Sequence, residues 1–81
     1  MYIESQKLES FELNSDYLPS LEIISLGYNR LKNIPAFLYK LKNIQNIYLN
    51  NNKIKTIKIP RLVYSQFDIR SDKLIFQRKY V

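Results

Sequence analysis

Apolar residues return along this chain every 23 positions. Leu21 aligns with Ile44, Ile24 with Ile47, Leu26 with Leu49, Leu31 with Ile54 and Ile34 with Ile57, while Asn29 meets Asn52 and Lys32 meets Lys55. A repeat of this length marks an array whose units bury their apolar faces only against one another. One step back, Ile3 takes the place of Leu26, Gln6 that of Asn29, Leu8 that of Leu31, Phe11 that of Ile34 and Leu18 that of Leu41. Forward the interval shortens to 20, so that Tyr64 matches Ile44, Phe67 matches Ile47, Ile69 matches Leu49, Asp72 stands for Asn52 and Leu74 for Ile54. Four units result, approximately 1–20, 21–43, 44–63 and 64–81, forming one domain over the whole chain.

Within each unit the pattern has a local meaning. Ile24-x-Leu26, Ile47-x-Leu49 and Phe67-x-Ile69 alternate with other residues, as in strands with one buried face. Ile3 should begin the equivalent first strand. Fixed spacing predicts that these strands stack as parallel neighbours roughly 4.8 Å apart. Gln6, Asn29, Asn52 and Asp72 fall where the chain turns out of each strand. An Asn amide both donates and accepts, so it can satisfy backbone groups that a sharp turn leaves unpaired. Ionised Asp72 only accepts, which weakens the last rung, and Gln6 is longer than the position wants. The return legs differ. Pro35 sets up a turn or short helix over Ala36–Leu41, Leu13–Leu18 looks similar but less regular, and the shorter segment Ile57–Leu62 suggests an extended return.

Residues 21–31 read LEIISLGYNRL and residues 44–54 read IQNIYLNNNKI, with YSQFDIRSDKL at 64–74. These segments resemble LxxLxLxxNxL, the pattern of the leucine-rich repeat family, across nearly the whole chain. The resemblance implies an α/β solenoid: a small curved parallel β-sheet on the concave side and turn, 3-10 or short helical returns on the convex side. It also implies that partners dock on concave-face positions between the core residues. Four columns occupy that face: Tyr2, Ser25, Tyr48 and Asp68; Glu4, Gly27, Asn50 and Arg70; Ser5, Tyr28, Asn51 and Ser71; and a basic stripe of Lys7, Arg30, Lys53 and Lys73.

Composition narrows the chemistry. There is no Cys, no His and a single Gly. Disulfide frameworks, thiolate zinc sites, imidazole-based catalysis and glycine-rich phosphate loops are therefore excluded. Neither a catalytic residue, a metal site nor a cofactor is expected, and the chain is read as non-enzymatic. Thirteen Lys and Arg against seven Asp and Glu give +6. The charge is polarised: residues 1–22 hold Lys7 among five carboxylates, whereas residues 23–81 hold twelve cations with Asp68 and Asp72. The N-terminus lacks the order of a signal peptide, and no apolar run approaches the ~18 residues of a membrane span. The expectation is an intracellular, cytoplasmic protein that is neither secreted nor membrane-bound. Abundant Ile, Asn, Lys and Tyr suggest an AT-rich genome, which would place a viral member in the infected cell or particle.

The leading expectation is a protein–protein interaction module that binds an unidentified protein partner through its concave face and exposed ends. The face includes Tyr2, Glu4, Ser25, Tyr28, Arg30, Tyr48, Asn50, Asn51, Lys53, Asp68, Arg70 and Lys73, with Gln6, Asn29, Asn52 and Asp72 as a structural ladder. The alternative is an assembly component, such as a minor protein of a viral particle, packed or self-associated by its ends. The basic rim contacts an acidic partner or simply keeps the domain soluble. Nucleic acid ranks last, because no recognised nucleic-acid motif is present. Residues 74–81 alternate apolar and charged side chains, as an edge strand would, either capping the last unit or docking elsewhere.

Overall fold

Ile24 and Ile47 lie directly opposite each other in a parallel strand pair, at 0% and 1% exposure. The 23-residue spacing is thus a stacking interval. The computed structural model describes residues 1–55, 59–70 and 74–79. In chain order it contains a 3-10 turn at Ser15–Tyr17, β1 (Ile23–Ser25), a second 3-10 turn at Ala36–Lys40, β2 (Asn46–Tyr48), the helix α1 (Arg61–Gln66), β3 (Phe67–Arg70) and β4 (Ile75–Arg78). Ahead of β1, Tyr2 forms a parallel bridge with Ser25. The Ile3 N–H donates to the Ser25 carbonyl at 2.8 Å, and the Ser25 N–H donates to the Met1 carbonyl at 2.8 Å. Ile3 therefore does begin a rudimentary first rung.

The far side departs from the all-parallel expectation. The sheet is mixed, with the order β1-β2-β4-β3, and β4 runs antiparallel to both neighbours. The place beside β2 expected for Phe67–Ile69 is taken by the C-terminal segment, and β3 is displaced to the edge. The edge strand expected over 74–81 is thus instead an interior strand at Ile75–Arg78. Packing explains the exchange. Phe76 is fully buried, faces Ile47 on one side and Ile69 on the other, and meets the Phe67 ring edge-on at 6.1 Å. Arg78 fixes the strand further: its guanidinium lies 4.7 Å from the Phe67 ring centroid, and its Nε donates to the Ile44 carbonyl at 2.6 Å. A buried aromatic with these partners anchors β4 between β2 and β3.

The return legs follow from their prolines. Pro35 (φ −59°) caps the Ala36–Lys40 turn, which buries Phe37 and Leu38. Pro60 (φ −55°) likewise precedes α1, and its carbonyl accepts from the Val63 N–H at 2.9 Å. The extended return expected through Arg61 and Leu62 is therefore helical at those two residues; residues 56–58 lie outside the described set. Helix periodicity also moves the core contact by one position. Val63 is buried, whereas Tyr64, aligned with the buried Ile44, is 50% exposed. At Ser15–Tyr17 the Asn14 side chain caps the turn by accepting from the Asp16 N–H at 2.9 Å. One apolar cluster joins β1, β2, both proline-initiated returns and β4, with Phe11 packed against Phe37 at 5.9 Å.

Candidate functional site

The site is built on turns that repeat in conformation as well as in sequence. Ser5, Tyr28 and Asn51 stand 23 residues apart and adopt φ of 58°, 55° and 58°. This left-handed region is disfavoured for residues with a Cβ and tolerated best by Gly and Asn. The next residue in each turn is the ladder position. Asn29 Oδ1 accepts from the N–H groups of Gln6 (3.0 Å) and Leu8 (3.2 Å). Its Nδ2 donates to the carbonyls of Ile3 (2.9 Å), Leu26 (3.0 Å) and Gly27 (3.2 Å). Asn52 repeats the scheme one rung on. It accepts from the Leu31 N–H at 2.9 Å and donates to the carbonyls of Leu26 (2.9 Å), Leu49 (3.1 Å) and Asn50 (3.4 Å). Gln6 does not act this way: its amide donates to the Glu4 carbonyl. Asp72 and Lys73 lie outside the described residues.

These turns hold the open face of the sheet, opposite the core. Register places Ser25, Tyr48, Ile75 and Arg70 in one row, continued by Tyr2 through its bridge to Ser25. A second row holds Ile23, Asn46, Gln77 and Asp68. Asp68 is therefore not in the Tyr48 row, because the reversed β4 resets the register and brings Arg70 there instead. Ile75 and Gln77 join the face without having been expected on it. Their alternation with the buried Phe76 was the available signal, since it also defines an outward side.

Tyr2, Glu4, Tyr28, Arg30, Asn51, Lys53, Asp68 and Arg70 are exposed, and Tyr48 and Asn50 are partly so. Ser25 is only 3% exposed, and its hydroxyl donates to Glu4 Oε2 at 2.8 Å. Gly27 explains how that carboxylate comes in. A Cβ there would stand 3.1 Å from Asn50 Oδ1 and 3.2 Å from Glu4 Oε2. The missing side chain thus leaves room for the Glu4 and Asn50 head groups to lie across the sheet. Tyr28 projects beside this cluster, 58% exposed.

On the other side of the core, the Tyr39 hydroxyl is buried without a hydrogen-bond partner among the described residues. Burial, and secondarily the charge of Tyr64, push its pKa up to about 12. Among the described residues, no group of three His, Cys, Asp or Glu side chains could hold a metal ion, and no helix is long and apolar enough to cross a membrane. The open face offers aromatic surface, amides and mixed charge, which are the means of surface recognition.

A family model described as leucine rich repeats in two copies matches residues 19–61. Among curated proteins, Receptor-like protein 7 of Arabidopsis thaliana is 34% identical over 55 residues, covering 68% of this chain and 6% of that protein. Leucine-rich repeats and immunoglobulin-like domains protein 3 of Mus musculus is 32% identical over 59 residues, covering 70% of this chain and 5% of that protein. The chain thus spans only a small fraction of the length of either relative. No solved structure matches.

Proposed function

This chain belongs to the leucine-rich repeat family, and on that premise we propose that it is a protein-binding module whose partner docks on the open face of the sheet. Domains of this family generally mediate protein–protein interaction and typically do so without catalysis. The docking surface is the row Tyr2, Tyr48, Ile75 and Arg70, bordered by Tyr28, Asn50 and Asn51, with Arg30 and Lys53 on its basic rim.

The observation that carries this reading is Tyr28. The fold requires a left-handed residue there, and the equivalent position one rung on holds Asn51, which suits that conformation. Tyr28 instead places a bulky aromatic at φ 55° and leaves it 58% exposed. Its backbone strain amounts to about 1 kcal/mol. An exposed, strained aromatic contributes little to the core, whereas Tyr is among the residues that dominate binding energy at interfaces.

The test separates stability from binding. Tyr28→Asn should leave the domain as stable or more stable by about 0.5–1 kcal/mol. It should also remove proteins that the wild type captures from its native source, and Tyr28→Asn combined with Tyr48→Ala should remove them completely. Capture that survives the double substitution would exclude this face as the docking surface.

A further inference from the structure

Outside the sheet face, the flank that follows the Asn turns carries two adjoining recesses of opposite charge. Successive rungs are tied there by backbone bonds, Arg30 N–H to the Leu8 carbonyl at 2.7 Å and Lys53 N–H to the Leu31 carbonyl at 2.9 Å. Between the second and third rungs lies a recess of about 300 Å³ lined, among the described residues, by Lys32, Asn33, Lys53 and Lys55, none of them a carboxylate. Between the first and second lies a smaller one of about 140 Å³, where Glu9 and Glu12 face the same Asn33. The repeat produces this arrangement. Glu9, Lys32 and Lys55 are equivalent positions of three consecutive rungs, so one column changes sign along its length.

We propose that this flank is a second docking surface, which takes an extended peptide segment of a partner carrying acidic side chains beside a basic one. The acidic residues sit on Lys32, Lys53 and Lys55, and the basic residue reaches Glu9 and Glu12 across Asn33. Rungs stand roughly 4.8 Å apart and an extended peptide rises about 3.3 Å per residue, so three or four residues span the two recesses. A nucleic-acid strand on the same path would bring its phosphates against Glu9 and Glu12. Like-charge contact of that kind discriminates between partners as strongly as attraction does. The lysines are point charges without the fixed fork of Arg, which suits separate carboxylates. This surface adjoins the sheet face at Lys53 but is otherwise separate from it, and it stands whether or not that face binds.

The test measures fluorescence anisotropy at low salt with three labelled probes: the peptide Glu-Glu-Glu-Gly-Lys-Lys, an all-glutamate peptide of equal length, and a short oligothymidylate. The mixed peptide should bind most tightly, although it has the smallest net charge. Non-specific attraction to a +6 chain predicts the reverse order, and that order would overturn the proposal. Lys32→Glu and Lys55→Glu should each weaken the mixed peptide about fivefold, the upper range for an exposed pair. Lys42→Glu, an exposed lysine outside both recesses with the same change in net charge, should leave it unaffected. Equal losses from Lys42→Glu would overturn the assignment. Glu9→Lys with Glu12→Lys should shift preference to the all-glutamate peptide, which keeps the test decisive if a lysine variant fails to fold. Tyr28→Asn should not change the peptide affinity, so failure here is distinguishable from failure of the sheet face.

Discussion

Removing the Asn29 amide should cost more stability than removing its repeat equivalent, and the two losses should not add. Asn29→Ala takes the acceptor from the Gln6 and Leu8 N–H groups and a donor from the Ile3 carbonyl. The other two carbonyls keep a partner: Leu26 still receives Asn52 Nδ2, and Gly27 still receives the Ser5 N–H. Three partly buried groups at about 1 kcal/mol each give a loss of about 3 kcal/mol. Asn52→Ala strips the Leu31 N–H and the Leu49 carbonyl, while Asn29 continues to hold Leu26 and the Tyr28 N–H continues to hold the Asn50 carbonyl. Its loss should be about 2 kcal/mol by the same reasoning. In the double variant the Leu26 carbonyl loses both donors at once, so the combined loss should exceed the sum by about 1 kcal/mol. A domain of this length holds only about 4–12 kcal/mol in total, so the double variant should be largely unfolded at room temperature. Equilibrium urea unfolding, followed by circular dichroism and tyrosine fluorescence, measures all three values. Strict additivity, or an Asn52 loss larger than that of Asn29, would falsify the shared-carbonyl ladder.

Phe76→Ala should destabilise by about 3–5 kcal/mol in the same unfolding assay, with an accompanying loss of protection in amide exchange at β3, which β4 alone joins to the rest of the sheet. Tyr39→Phe should raise stability by about 1 kcal/mol, because it removes a buried hydroxyl that has no partner among the described residues. The pH dependence has a definite sign. The Tyr39 phenol ionises near 10 when unfolded and at about 12 in the fold, so the unfolded chain loses its proton first and stability falls between those values. The full difference would be about 2.7 kcal/mol, reduced to about 1 kcal/mol because solvent reaches part of the side chain. This part of the alkaline slope should vanish in Tyr39→Phe when thermal melts are compared across that range. Gly27→Ala should cost less than about 1 kcal/mol, since only the mobile ends of Glu4 and Asn50 must give way. Gly27→Leu should abolish partner capture by covering the sheet face, while the melting temperature is largely retained.

Interval and alternation made the rungs legible. Ile24, Leu26, Ile47 and Leu49 all entered the core as their spacing requires, and the Asn positions became the ladder, because a buried turn needs a side chain that both donates and accepts. The third unit was less legible for two physical reasons. Pro60 nucleates a helical turn as readily as it permits an extended one, and a helix at that point substitutes Val63 for Tyr64 in the core. The order of strands is a tertiary choice as well. Nothing local distinguishes a Phe67–Ile69 strand beside Ile47 from a Phe76 strand in the same place; the fully buried ring and the Arg78 contacts decide it. The consequence reaches the candidate site, since the reversed strand sets Arg70 rather than Asp68 level with Tyr48. The flank recesses were barely visible: Lys53 stood in the basic stripe and Lys32 aligned with Lys55, but the sign change from Glu9 to Lys32 gains meaning only once rungs are stacked.

The antiparallel insertion of β4 has a bearing on how such an array can lengthen. The reversed hairpin of β3 and β4 engages β2, the last parallel strand, through Phe76 opposite Ile47. A duplicate of residues 21–43 spliced in ahead of residue 44 would present the hairpin with the same surface it meets now. Gene duplication would thus widen the array one notch at a time while leaving the contact with β4 unchanged.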